Sequence, residues 1–334
     1  MSDMSATEDG PDILVLRREV HGMPIEQYAD AIRRRLPDYD VQLARTPREE
    51  RELIQHAPIV TGLHIDDGLM GAAENFRVFA CLYAGVGHLP LAELEARNVA
   101  VTSAAGVHGP NIAEYVIGGI LAFARGFHLG FRRQQRREWR HFQARELQGS
   151  TVTIVGLGAI GTATAERLEP FDVETIGVRY TPEKGGPTDE VIGFDTDALH
   201  DAYARTDYLV LACPLTETTE GLIDFAALET LSPESVLINI ARGPVVETSA
   251  LIEALRGELI RGAVLDVTDP EPLPEDHPLW TFGNVMITPH SSGHTPEYYE
   301  RVADILAENV DRIEATDDYT DLRNLETDID PSSS

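Results

Sequence analysis

A chain of 334 residues with 27 Lys and Arg against 56 Asp and Glu carries a formal charge of −29, and 43% of it is hydrophobic. That length supports two hydrophobic cores, and that composition belongs to soluble globular domains rather than to disordered or fibrous chains. So negative a surface argues against nucleic acid and anionic membranes as partners.

The first ten residues are acidic and polar, with no basic start ahead of an apolar stretch, so no secretory signal is expected. Strand–helix alternation then begins: a strand at 12–16, a helix from Ile25 to Leu36, a strand from Val41 to Ala44 and a charged helix from Pro47 to His56. Strands follow at 59–61, 77–82 and 99–102. This pattern predicts an α/β layer with a parallel sheet.

Pro110 to Ala124 is apolar nearly all round, with Asn111 and Glu114 as polar exceptions, which predicts a buried helix crossing between domains. Its apolar run from Val116 is too short to span a bilayer. Arg132, Arg133, Arg136, Arg137 and Arg140 come next; they read as an anion site or, in preference, as a solvated or interface helix face.

The strand Thr151–Val155 leads into Gly156-Leu157-Gly158-Ala159-Ile160-Gly161 and a helical stretch to Leu168. This G-x-G-x-x-G between strand and helix is the phosphate-binding turn of a dinucleotide unit. The first glycine permits the turn, the second lets a pyrophosphate approach the backbone, and the third lets helix pack on strand. Further strands are expected at 175–180, 208–213, 236–241, 263–267 and 285–288, about six in all, the count of a dinucleotide fold. Val302, Ile305, Leu306, Val310 and Ile313 mark a last helix that returns to the first domain, and residues 331–334 are expected to be disordered.

Cys81 and Cys213 stand singly in apolar segments and read as buried free thiols in the cytoplasm. Lys184 is the only lysine. That skew favours adaptation to a cytoplasm of molar salt, where the Debye length is about 3 Å, over simple solubility by self-repulsion.

An NAD-binding unit ends its second strand in an acid that holds the ribose hydroxyls. Here Arg179 stands in that place, followed by Tyr180 and Thr181. A guanidinium binds a 2′-phosphate in a fork, so NADP is favoured, with NAD the weaker alternative; the bland alternative is a strand end in solvent. Farther on, Asn239-Ile240-Ala241-Arg242-Gly243, Asp266 with Glu271, and Thr288-Pro289-His290 supply a guanidinium, a carboxylate and an imidazole at strand ends, where open α/β sheets bind ligands. Reduction of a 2-keto acid requires a cation for the substrate carboxylate and a proton donor for the ketone oxygen. Arg242, Glu271 and His290 suit those needs as clamp, partner of the imidazole, and general acid or base. His294 lies four residues after His290, but no third ligand or H-E-x-x-H pattern accompanies them, so no metal is expected.

Taken in order, the glycine loop, Cys213-Pro214-Leu215-Thr216 with Thr219, Asn239 to Gly243, Asp266 with Glu271-Pro272, and Thr288-Pro289-His290 resemble the D-isomer-specific 2-hydroxyacid dehydrogenase family along essentially the whole chain. The acidic chain looks like a haloarchaeal D-2-hydroxyacid dehydrogenase. The resemblance implies a Rossmann-type doubly wound sheet (residues 106–295) inserted into a smaller flavodoxin-like α/β substrate domain (residues 1–105 and 296–334), with the active site in the cleft and a homodimer built through the nucleotide domain. It implies cofactor contacts at Gly156, Gly158, Ala159, Ile160, Gly161, Arg179, Tyr180, Thr181, Cys213, Pro214, Thr219, Ile240, Ala241, Asp266 and His290. Substrate contacts are implied at Ala84, Gly85 and Arg242, within Ala84-Gly85-Val86-Gly87, where the family often has Asp in place of Gly87. The implied activity is reduction of small 2-keto acids to D-2-hydroxy acids. Alternatives are a glyoxylate/hydroxypyruvate reductase and a non-catalytic, nucleotide-sensing corepressor-like protein. A 3-phosphoglycerate dehydrogenase is less favoured, because no regulatory domain follows the last helix. Trp280 and Tyr298 are expected either to line the pocket or simply to pack.

Overall fold

The computed structural model describes residues 10–330; the tail at 331–334, and the disorder expected of it, lies outside the described residues. The chain forms two compact units, one running through Val107 and resuming at His294, the other spanning His108–Gly293.

The first unit alternates β1 (Ile13–Val15), α1 (Ile25–Arg35), β2 (Val41–Leu43), α2 (Pro47–Leu53), β3 (Ile59–Gly62), α3 (Asp67–Ala72), β4 (Val78–Cys81), α4 (Leu91–Ala96) and β5 (Ala100–Thr102). The strands pair in parallel in the order β2-β1-β3-β4-β5, a flavodoxin-like winding. Ile13, Leu14 and Val15 are all buried because helices cover both faces of the sheet. One face packs Tyr28 and Ile32 of α1 against Val302, Leu306 and Val310, and the other packs Leu14, Val60 and Phe79 against Ile54, Met70 and Leu94. Helices α3 and α4 are six residues each, too short for their period to show in the sequence; Asp66 caps the first through the Leu69 amide at 2.9 Å.

The second unit opens with α5 (Gly109–Ala124) and α6 (Phe127–Gln135), then β6 (Thr151–Val155), α7 (Ala159–Leu168), β7 (Glu174–Val178), β8 (Glu190–Ile192), α8 (Thr196–Arg205), β9 (Tyr208–Leu211), α9 (Phe225–Thr230), β10 (Val236–Asn239), α10 (Thr248–Arg256), β11 (Gly262–Leu265) and β12 (Val285–Ile287). All seven strands are parallel, in the order β12-β11-β10-β9-β6-β7-β8. The expected six thus become seven: β8 is a three-residue edge strand starting at an exposed glutamate, without the apolar run that marks a buried strand. A second correction concerns the arginine stretch. α6 ends at Gln135 and Arg137 turns left-handed at φ 57°, so Arg136, Arg137 and Arg140 lie beyond the helix.

The chain leaves this unit for α11 (Tyr298–Thr316), whose face of Val302, Ile305, Leu306, Val310 and Ile313 is buried in the first unit. Among the described residues no single helix is long and apolar enough to cross a membrane, although α5 and α6 together would pass on length and composition as a bent pair.

Candidate active site

The sheet order reverses between β6 and β9, the point where ligands of open α/β sheets bind. The glycine turn leaves β6 there. Gly156 has φ +103°, and a Cβ on it would lie 2.7 Å from the Ala212 carbonyl oxygen. A Cβ on Gly161 would lie 1.9 Å from the Gly156 carbonyl oxygen, so α7 rests directly on the turn. A Cβ on Gly158 would meet nothing within 4 Å, which leaves open space at the helix start, where unpaired amides and the helix dipole favour an anion. The three glycines therefore have the three separate roles that a pyrophosphate cradle requires, and a dinucleotide fits the residues present.

A cavity of about 590 Å³ extends from this turn, lined by Gly156, Gly158, Arg179, Tyr180, Thr181, Cys213, Pro214 and Thr219 among others. The Thr219 hydroxyl is spent on the loop itself, donating to the Pro214 carbonyl at 2.6 Å and accepting from the Thr216 amide at 2.8 Å. Burial pushes the Cys213 thiol up to about 11, which keeps it protonated. Ala159, Ile160, Gly161, Ile240 and Ala241 do not line this wall; Ile240 and Ala241 are buried beneath the β10 strand end.

Register sets the second constellation. Asn239, Leu265 and Ile287 sit side by side on β10, β11 and β12, so Arg242, Thr268 and His290, each three residues on, leave the sheet at one level. Adjacent strands are about 4.8 Å apart, which puts the first and third of these chain exits about 10 Å from each other. The arginine and glutamate loops touch: a Cβ on Gly243 would lie 2.0 Å from the Thr268 carbonyl oxygen, and the Thr248 hydroxyl donates to the Asp269 carbonyl at 2.9 Å. The glutamate loop then returns Glu271 Oε1 to 2.6 Å from His290 Nδ1. Asp266, Glu271, Trp280 and His290 line a cavity of about 240 Å³. Arg242 is exposed beside it; its Nη1 donates to the Ala241 carbonyl at 2.7 Å, and among the described residues it makes no ion pair.

His290 holds a left-handed backbone at φ 51°, a conformation that costs a non-glycine residue of order 1 kcal/mol and persists only where the surroundings enforce it. Asp266, 2% exposed, enforces it. Its carbonyl accepts the His290 amide at 2.8 Å. Its carboxylate accepts from Thr288 Oγ1 at 2.6 Å, the Ser291 amide at 2.9 Å and the Ser292 amide at 3.0 Å. Tyr115 and Asn111 of α5 brace the same turn, through Thr288 Oγ1 at 2.6 Å and the Ser292 carbonyl at 2.8 Å. Sequence reasoning missed this support; the visible signal was the pair of polar and aromatic residues on an otherwise apolar helix.

Ala84 and Gly85 belong to the other unit, exposed in the loop after β4. His294 also lies there, stacked on His21 at 4.4 Å. Of the two aromatics, Trp280 lines the smaller cavity, its indole N–H donating to the Pro274 carbonyl at 2.8 Å. Tyr298 is fully buried, with its hydroxyl donating to the Leu82 carbonyl.

A nucleotide cradle at a topological switch point, with a carboxylate-paired imidazole at nearby strand ends, is the equipment of an NAD(P)-dependent oxidoreductase, and this chain is one. Residues 117–292, over half the chain, match the model of the D-isomer specific 2-hydroxyacid dehydrogenase, NAD binding domain, and the chain belongs to that family. It is 36% identical over 253 residues to a glyoxylate reductase of Thermofilum pendens, covering 74% of both chains. It is 34% identical over 255 residues to the glyoxylate reductase/hydroxypyruvate reductase of Homo sapiens, covering 74% of this chain and 77% of the relative. A solved D-isomer specific 2-hydroxyacid dehydrogenase from Xanthobacter autotrophicus Py2, in complex with NADPH and MES, superposes with a TM-score of 0.75 at 27% identity, covering 96% of this chain and 99% of that one.

Proposed function

We propose that the chain reduces small 2-keto acids to D-2-hydroxy acids, with NADPH preferred over NADH. The observation that carries this reading is the 2.6 Å pair of His290 Nδ1 and Glu271 Oε1 at the strand-end level of Arg242. Because Glu271 occupies Nδ1, the nitrogen left to face a substrate is Nε2. A carboxylate on Nδ1 fixes the tautomer and the orientation of the ring. His290 gives its Nε2 proton to the ketone oxygen in reduction and takes it back from the hydroxyl in oxidation. Arg242 grips the substrate carboxylate in its fork and polarises the ketone. Gly156, Gly158 and Gly161 shape the pyrophosphate seat, and Arg179, Tyr180 and Thr181 face the adenosine ribose. The nicotinamide, when bound, supplies the hydride to the carbonyl carbon.

The test is NADPH oxidation in molar KCl with pyruvate, glyoxylate, 2-ketobutyrate and 2-ketohexanoate, repeated on His290→Ala. Turnover that His290→Ala abolishes is expected; tight NADPH binding with no turnover on any keto acid favours a sensor instead. The names of the T. pendens and human relatives favour glyoxylate or hydroxypyruvate as substrate, and the same panel decides it.

The protein we envisage is a cytoplasmic, salt-adapted homodimer. Supporting this is the arm formed by α6 and the residues after it. No residue of its helix is fully buried, Phe131 is 64% and Trp139 97% exposed, and it carries Arg132, Arg133, Arg136, Arg137 and Arg140 on a chain of charge −29. A basic, aromatic arm on an acidic molecule suits the surface of a second copy.

A further inference from the structure

We infer that Lys184 is the second half of a two-cation clamp for the 2′-phosphate of NADPH; this rests on the NADPH preference proposed above and names a coenzyme-specificity residue that the strand-end pattern did not reveal. Arg179 leaves β7 and donates Nη1 to the Gly185 carbonyl at 2.5 Å. The intervening chain is a tight turn in which the Lys184 amide donates to the Thr181 carbonyl at 3.1 Å and the Gly185 amide to the Pro182 carbonyl at 2.9 Å. Gly185, at φ +63°, reverses the chain there. The arginine thus pins the turn that carries the lysine, and both residues line the cavity at the glycine turn.

Charge makes the arrangement specific. In a chain with 56 carboxylates, neither Arg179 nor Lys184 makes an ion pair among the described residues, and of the described residues lining the cavity only Glu217 is acidic. Two cations left without carboxylate partners on one wall of so acidic a protein form an anion site. A phosphate monoester carries a charge of about −1.5 to −2 at neutral pH, more than one guanidinium balances. Arg179 has one nitrogen already committed to Gly185, whereas the lysine brings a compact charge and three rotating donors on a flexible stem. The ribose hydroxyl of NADH offers neither cation a charge to meet.

The experiment measures dissociation constants for NADPH, NADH, 2′,5′-ADP and 5′-AMP by calorimetry at one fixed KCl concentration, on wild type, Lys184→Gln, Lys184→Arg and Arg179→Asp. Loss of one charge-assisted hydrogen bond weakens NADPH about 10-fold in Lys184→Gln, while NADH changes less than twofold and the preference for 2′,5′-ADP over 5′-AMP collapses. Lys184→Arg restores most of the NADPH affinity. If Lys184→Gln leaves the NADPH constant unchanged, or moves NADPH and NADH together, the clamp is wrong. A wild type that binds NADH more tightly overturns the coenzyme reading itself. A wild-type NADPH preference erased by Arg179→Asp but not by Lys184→Gln overturns only the lysine's role.

Discussion

His290 Nδ1 and Glu271 Oε1 stand 2.6 Å apart, though they lie 19 positions apart in sequence with the whole of β12 between them. A positioned general acid contributes about 10²–10⁴-fold to rate, so His290→Ala loses that much in kcat. Glu271→Gln keeps an oxygen near the ring but removes its charge, and its kcat falls by about 10-fold or more. Both variants retain NADPH affinity within twofold by fluorescence titration, because neither residue lines the glycine-turn cavity. Full kcat in Glu271→Gln removes the glutamate from the mechanism.

Arg242 is exposed and free of carboxylate partners among the described residues, so its substitution has no ion pair of its own fold to break. Arg242→Gln keeps the native melting temperature but loses about 10- to 100-fold in kcat/KM for the keto acid, the worth of a charge-assisted pair. Arg242→Lys recovers little, because an ammonium lacks the fork that matches a carboxylate. Steady-state kinetics on the three proteins decide it; a fully active lysine variant shows that charge alone suffices.

The glycine turn separates folding from binding. Gly161→Ala drives a Cβ to 1.9 Å from backbone oxygen, an overpacking that costs about 1–3 kcal/mol or more. Gly158→Ala meets nothing within 4 Å and leaves stability within about 0.5 kcal/mol of wild type, while its methyl occupies the pyrophosphate seat and weakens both NADPH and NADH. Denaturant melts and coenzyme titration on the two variants read the contrast. Equal loss of stability in both sinks the assignment of separate roles.

Much of this was visible in the residues because apolar runs such as Ile13-Leu14-Val15 and Thr151–Val155 are buried on both faces, and the glycine spacing reports steric necessity. What stayed hidden depends on nonlocal geometry. β8 is held only along one edge, and its sequence carries no apolar period. The role of Asp266 in bending the His290 turn arises from amides at residues 291 and 292, which no side-chain pattern encodes. Lys184 was conspicuous as the sole lysine, but its place on the cavity wall depends on a turn closed by Arg179.

The basic arm and the −29 charge combine into a salt-dependent expectation. Two copies repel over distances that molar salt screens, since the Debye length there is about 3 Å, whereas contacts between arm arginines and carboxylates act at about that range and survive better. Dimerisation and thermal stability should therefore rise from 0.1 M to molar KCl. The double substitution Arg136→Glu with Arg140→Glu should shift sedimentation towards the monomer at every salt concentration. A double variant with unchanged mass removes the arm from the interface, and full stability near 0.1 M KCl refutes the salt adaptation.

His128, stacked on Phe123 at 4.3 Å, gives the fold an acid limit. Burial lowers its pKa; the Ala122 carbonyl, hydrogen-bonded to Nδ1, opposes the shift, and the charges of Arg261 and Arg132 deepen it. The unfolded chain, with an imidazole near the ordinary value of about 6.5, therefore takes up the proton before the folded chain does. The stability this residue contributes is whole above that pH and drains away as pH falls below it, because protons then favour the unfolded state. His128→Phe keeps the aromatic stack and removes the titration, so its melting temperature should drop less than that of wild type between pH 7.5 and 5.5. Parallel melting curves for the two proteins across that interval would show that the imidazole pays no protonation cost in the folded state.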